Sequence, residues 1–493
     1  MALNTGTNKA RYLAWALVLS AIPLLGWWSY GLFDLDEGFY GAITAEMNRR
    51  GEWITPFYNG QPWFEKPILL YWAAKPCLML FGAAIGPRLP SILATLGTYG
   101  VVGWFARRRF GEAAAAVSVL ALGSCLLVVG VGRMMLTDPL LLLALTAAFL
   151  TFWESLVGDK RWRLVTAACL GAGVLAKGPI ACILFVPLAA WTGFREADLR
   201  AAFRGYWLLG FALLLAVVGL WYVPAYLKDG HEFVQKFLIE QNIGRFSGGD
   251  QAHTMRGPGG WFFYVPIALL GFAPWIWLLP RSLGAGPPED AALRRYLLAW
   301  IVIVFGFFTI ASAKLPHYVL PMAPPIAILV GSDLARRWNG GLRWRTLAAP
   351  VVWLLAVAAI AQTAFTLYSK GLTIGGTSTP RFEEVQGLAT FIREHAAPGD
   401  GVVEYSMSGN HSPGAGPGTR LQETSHPSTL LYLDRDALET DDWNEVLKSR
   451  APTWVLTRSD RVGPSELAAA RGRLAPVATP VRQEFYRLFR LSP

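Results

Sequence analysis

Charge is scarce in this chain. Only 16% of its 493 residues are Asp, Glu, Lys or Arg, against 53% hydrophobic, and the mean hydropathy is +0.36. Soluble domains carry about 25% charge, so this balance excludes an ordinary soluble globular protein and points to a polytopic membrane protein. Cysteine is scarce too. Cys77, Cys125, Cys169 and Cys182 lie in or beside apolar segments without Cys-x-x-Cys spacing, which reads as small core residues rather than a metal centre. No Gly-rich loop of phosphate-binding spacing follows a strand, so no nucleotide cofactor is expected. The formal net charge of +10 excludes little by itself. Its Arg and Lys fall in short clusters between apolar runs, the positive-inside pattern of a membrane protein, and no nucleic-acid partner is expected.

What is abundant agrees. The 21 tryptophans suit a membrane interface, where an apolar ring and a polar N–H are both accommodated. A spanning helix needs about 20 mostly apolar residues. The run from Tyr12 to Tyr30 ends in aromatics rather than a cleavage site, so it is expected to be a retained first span. Ten more runs follow: Arg88 to Ala106, Ala113 to Val131, Leu140 to Leu156, Leu164 to Leu175, Ile180 to Phe194, Tyr206 to Tyr226, Trp261 to Leu279, Tyr296 to Ser312, Pro316 to Leu334 and Leu347 to Leu367. The expectation is an α-helical polytopic membrane protein of about 11 to 13 transmembrane helices with a C-terminal extracytoplasmic α/β domain. Residues 1–368 form the transmembrane part, with external loops at 31–87 and 227–260, and 369–493 the soluble domain. Pro67 to Phe81 is read as an interfacial helix, with a true span as the alternative.

This threading brings Asp36, Glu37, Glu65, Lys66, Arg133, Asp138, Lys177, His253, Arg256, Lys314 and His317 to one face of the membrane, outside a bacterial inner membrane. Ionisable groups beside lipid are costly unless paired or functional. Carboxylates and cations with no nucleotide motif suit transfer of a sugar from a lipid-linked phosphate. A carboxylate takes the acceptor's proton, and Lys or Arg neutralises the departing phosphate. Each residue has a plainer alternative. Asp138, just before Pro139, can serve as an N-terminal helix acid; Lys177 in Ala-Lys-Gly-Pro can reach the interface without touching substrate; His253 can be an exposed histidine. A polytopic lipid or sugar transporter or flippase is the rival class, although no inverted repeat is visible.

The motifs carry a resemblance. Asp36-Glu37-x-x-Tyr40, Glu46-Met47, Gly51-x-Trp53, Pro56, Gly60 and Glu65-Lys66-Pro67 with Tyr71-Trp72 resemble the first external loop of the lipid A aminoarabinose transferase and protein mannosyltransferase-like family. Those are polyprenyl-phosphate-sugar transferases of the GT-C fold. The resemblance continues at Arg133 with Thr137-Asp138, Ala176-Lys177-Gly178, Glu240 through Arg245-Phe246 with His253, and Lys314-Leu315-Pro316-x-Tyr318-x-x-Pro321. It implies a glycosyltransferase moving one sugar, with inversion, from a polyprenyl (undecaprenyl or decaprenyl) phosphate to lipid A or another glycan, lipid or protein. Asp36 is then the general base and Asp138 a second essential carboxylate. Lys66, Arg256 and Tyr318 grip the carrier phosphate, Lys177 lines the cavity, and Glu37 and Tyr40 contact substrate. Glu65 and His253 are implied to share a divalent metal, zinc or another. Phe39 stands where the aminoarabinose transferases often carry a basic residue.

Overall fold

In the computed structural model, described for residues 5–34, 36–196, 205–244, 258–284, 287, 290–338, 344–371, 373–374, 377–378, 381–407 and 426–493, the chain divides into two compact units. The first holds Met1–Trp27, Phe64–Trp72 and Arg88–Gln362; the second holds Trp28–Trp63, Ala73–Pro87 and Thr363–Pro493.

The first unit is helical, and its helices follow the apolar runs of the sequence. Among the described residues, 7 helical runs of the whole chain are long and apolar enough to cross a membrane, or up to 9 when two bent pairs count as single spans. Two expected spans fall below that length. The helices Trp162–Lys177 and Ile180–Arg195 have 16 residues each, about 24 Å at 1.5 Å per residue. Two further expected spans, Ala113 to Val131 and Trp261 to Leu279, are each a bent pair of helices. Glu112–Gly123 and Leu126–Gly132 meet at 66°, and Gly259–Gly271 meets Trp275–Leu283 at 99°. The first break is braced by hydrogen bonds from distant tryptophans. Ser124 Oγ donates back to Leu120 O at 2.6 Å and accepts Trp275 Nε1 at 2.9 Å, while Ser124 O accepts Trp353 Nε1 at 3.1 Å. The backbone groups freed by the break are thus satisfied inside protein, as a broken helix in lipid requires.

The length of one helix fits a bilayer. Thr137–Val157 is 21 residues long, about 30 Å, with Asp138 in its first turn and Glu154 near its end. Glu154 accepts Arg108 Nε at 3.0 Å and Arg109 Nε at 2.6 Å. Arg295 donates twice to Glu196, at 2.7 Å each, and Arg337 donates to Asp333 at 2.9 Å. Arginine clusters at these helix ends are therefore neutralised by buried carboxylates as well as by solvent.

The second unit contains the helix Asp36–Arg49 and a five-stranded mixed sheet. Its spatial order is Leu438–Thr440, Gly401–Tyr405, Thr453–Arg458, Tyr486–Leu491, Leu474–Pro476. The first three strands run parallel and the last two pair antiparallel. Val403, Val455, Val446, Trp443, Phe489 and Leu491 make its core. The helix Phe382–His395 and the strand Gly401–Tyr405 belong to this unit. The strand Tyr486–Leu491 lies between Thr453–Arg458 and Leu474–Pro476 and pairs antiparallel with both.

Candidate active site

In the first unit, a cavity of about 180 Å³ is lined by Glu65, Lys66, Asp138, Lys177, Gln241 and Tyr318 among its polar side chains. Leu141, Ile180, Ile183, Phe237, Phe307 and Phe308 supply apolar wall. Two helix ends bring the central pair together. Asp138 sits in the first turn of Thr137–Val157 and Lys177 in the last turn of Trp162–Lys177, so each charge lies at the helix terminus whose dipole favours it. Gly178, at φ +82, lets the chain turn sharply into Pro179 after Lys177. Lys177 Nζ lies 2.6 Å from Asp138 Oδ1. It also stands 4.5 Å from the centre of the Tyr318 ring, a cation–π distance.

His317 completes this group. Its Nε2 lies 3.6 Å from Asp138 Oδ2, and the Asp138 side chain is only 7% exposed. The sequence placed His317 on the right face but gave it no role; its position beside Tyr318 in Lys-Leu-Pro-His-Tyr was the available signal. Gln241 and Phe237, on the helical turns of Val234–Gly244, had no sequence signal beyond proximity to Glu240.

Two cations expected on this face do other work. Arg133 is fully buried and donates to Gln362 Oε1 at 2.6 Å and Pro23 O at 3.5 Å. Lys314 is buried and donates to Phe308 O at 2.8 Å and Thr309 O at 2.6 Å, closing the end of Ala291–Ile310. Neither lines the cavity.

Asp36, Glu37 and Tyr40 belong to the second unit, on Asp36–Arg49. Asp36 is exposed in the first turn. Glu37, expected against substrate, is fully buried; its Oε2 accepts Phe33 N at 3.0 Å, while Gly38 N donates to Phe33 O at 3.1 Å. Its carboxylate is engaged in shaping the turn that presents Asp36. Tyr40 is buried as well. Phe39 stacks on Trp63 at 4.9 Å and tilts against Tyr58 at 4.8 Å, which explains an aromatic residue at that place by packing.

The same unit holds a pair of acids, Glu404 buried and Glu439 half-buried. Glu404 and Glu439 are register partners on adjacent parallel strands. Burial pushes the Glu439 carboxyl up to about 7, and the Asp34 charge adds to the rise; the Tyr58 hydroxyl, donating at 2.6 Å, opposes it. Burial also raises Glu404, with Glu439 as the next cause. Its Oε1 accepts the Thr429 hydroxyl.

His253 and Arg256 lie outside the described residues. Among the described residues, no three His, Cys, Asp or Glu gather as a metal site; Glu65, on the cavity wall, is the one described member of the implied metal pair.

Comparison with known proteins fits this geometry. Residues 65–222 match the family model described as dolichyl-phosphate-mannose-protein mannosyltransferase. The undecaprenyl phosphate-alpha-4-amino-4-deoxy-L-arabinose arabinosyl transferase of Edwardsiella ictaluri is 34% identical over 343 residues, 67% of this chain and 61% of that protein. The enzyme of the same name, numbered 1, from Sodalis glossinidius is 32% identical over 361 residues, 69% of this chain and 62% of that protein. The chain thus spans about three fifths of the length of these curated relatives. Among solved structures, ArnT of Cupriavidus metallidurans bound to undecaprenyl phosphate superposes with a TM-score of 0.77 at 20% identity, covering 99% of this chain and 98% of that one. The archaeal oligosaccharyltransferase AglB of Archaeoglobus fulgidus gives 0.55 at 11% identity, covering 91% and 70%. The expected GT-C membrane fold is therefore present, and the chain is a multi-pass membrane protein that belongs to the aminoarabinose transferase and protein mannosyltransferase-like family.

Proposed function

We propose that this chain, through its kinship with that family, is an integral-membrane glycosyltransferase of the bacterial inner membrane. It moves one sugar from a polyprenyl phosphate to an acceptor on the periplasmic side, lipid A or another glycan, lipid or protein. Undecaprenyl phosphate-alpha-4-amino-4-deoxy-L-arabinose, the donor in its relatives' names, is the first donor to try. The observation that carries this reading is the cavity of the first unit, where Lys66, Lys177, Asp138 and Tyr318 share a wall with Ile180, Ile183 and Phe237. A charged head beside apolar wall suits a lipid phosphate.

In the reaction, an acceptor oxygen attacks the anomeric carbon opposite the phosphate, and Asp36 takes its proton. The bond from the anomeric carbon to the phosphate oxygen breaks, and the configuration inverts. Lys66, Arg256 and Tyr318 hold the polyprenyl phosphate as its charge grows, and Lys177, fixed by Asp138, adds a further positive charge. A divalent ion would be held by Glu65 and His253, two protein ligands being fewer than a closed site uses, and would supply positive charge there.

The test is incubation of the purified protein with a panel of polyprenyl-phosphate sugars and a membrane-lipid extract, with products identified by mass. One new glycosidic product with release of the free carrier phosphate is expected. The two broken helices favour a second reading, a lipid or sugar flippase. Movement of donor across vesicles with no glycosidic product establishes that reading instead.

A further inference from the structure

Two residues before Asp36, the Asp34 carboxylate is held by three donors from a single stretch of the C-terminal part of the chain. Ser428 N donates to Oδ1 at 2.8 Å, Ser428 Oγ to Oδ2 at 2.9 Å, and His426 Nδ1 lies 3.1 Å from Oδ2. The other ring nitrogen of His426 is 2.8 Å from the Tyr486 hydroxyl, on the central antiparallel strand. The His426 and Asp34 side chains are 8% and 6% exposed, so the network is shielded from water, where such bonds are stronger.

A second, independent feature fixes the same turn. Gly38 passes so close that a Cβ there would run into Asp34 Oδ1 and stand 2.7 Å from Ser428 N and 3.0 Å from Pro427 Cγ. Any other residue at 38 would push the first turn of Asp36–Arg49 away from Ser428. On the preceding side, Phe33 stacks on Tyr30 at 5.3 Å and Phe365 at 5.6 Å. Asp36 therefore sits on a turn whose position is set by residues far along the chain as well as by its neighbours Tyr30 and Glu37.

We infer that Asp34 and His426 are positioning residues for the transfer reaction. His426, itself oriented by Tyr486, holds Asp34, and Asp34 fixes the turn from which Asp36 acts. The role assigned to this part of the C-terminal domain is thus to hold the base in place. The inference rests on the reading of Asp36 as general base. A base displaced by about 1 Å can lose on the order of a hundredfold in rate, while the binding of donor elsewhere is left alone.

The experiment measures kcat and donor KM for full-length wild type, His426→Phe, Ser428→Ala and Asp36→Asn, and for His426→Phe combined with Asp36→Asn. The fold of each variant is checked by thermal unfolding in detergent. The expected result for His426→Phe is a kcat lower by roughly tenfold to a hundredfold with donor KM within about twofold. Ser428→Ala, which keeps the backbone N–H bond to Asp34, falls by a few fold in the same parameter. In the Asp36→Asn background the His426 change costs little more, because the group it positions is gone. Unchanged kcat in folded His426→Phe and Ser428→Ala overturns the inference, as does an equal loss with and without Asp36. A wild type that forms no glycosidic product overturns the functional reading itself, which separates the two failures.

Discussion

Lys177 Nζ and Asp138 Oδ1 stand 2.6 Å apart, joining the last residue of one helix to the first turn of another, with side-chain exposures of 17% and 7%. Breaking a buried pair from one side strands the other charge and costs about 3 to 5 kcal/mol, whereas replacing both partners by apolar groups can be close to neutral. Lys177→Met is therefore expected to lower thermal stability clearly, and Lys177→Met with Asp138→Leu to recover most of it. Neither protein should retain transfer activity. Melting curves of the detergent-solubilised variants read the first part; a double variant no more stable than the single one would count against the pair as the cause.

Replacing Asp36 by Asn removes the proton acceptor while keeping nearly the same shape. A positioned base contributes about 100- to 10,000-fold, so turnover should fall by that order with donor binding close to wild type. Calorimetry or fluorescence quenching with the donor, run beside product formation, separates the two effects. Near-normal turnover would remove Asp36 from the mechanism.

Arg133 is expected to matter for stability and not for chemistry. Its guanidinium is fully buried and donates to Gln362 Oε1 at 2.6 Å. Gln362→Leu removes that acceptor, and hydrogen bonds to charged groups contribute about 1.5 to 3 kcal/mol. The variant should melt earlier while its activity per folded molecule stays near wild type. A selective loss of kcat with unchanged melting would place Arg133 in the reaction after all.

The Glu439 carboxyl makes stability depend on pH. Its folded value is raised to about 7 from 4.5, so between those two values the folded protein keeps a proton that the unfolded chain has released. Stability therefore falls as pH rises through that window, by up to about 1.4 kcal/mol per pH unit for one group. Glu439→Gln should match wild type near pH 4 and exceed it at pH 8. A wild-type unfolding profile that does not decline between pH 5 and pH 7 would contradict this.

Long apolar runs made most of the membrane architecture legible in the chain alone, because the length of a span follows directly from bilayer thickness. Asp138, Lys177 and Tyr318 were legible because each stands at the end of such a run, and Glu65 and Lys66 because they stand in the external loop just before the apolar segment Pro67 to Phe81. The helix breaks were not. Gly123-Ser124-Cys125 is apolar enough to continue a span, and its break depends on Trp275 and Trp353, far away in sequence. The partners of Arg133 and Lys314 were not legible for a related reason: a cation at a helix end can turn toward a cavity or toward carbonyl oxygens, and neighbours decide which. Asp34 carried no signal, since His426 lies 392 positions away.

The two 16-residue helices that deliver and follow Lys177 have a consequence for the surrounding lipid. At about 24 Å they fall short of a typical hydrocarbon thickness of about 30 Å, and a bilayer meeting short helices thins locally or drives them to associate. Acyl-chain length is therefore expected to act on the site, because a thicker membrane exceeds the length of these helices by more. Turnover of the reconstituted protein should accordingly decline as the acyl chains lengthen.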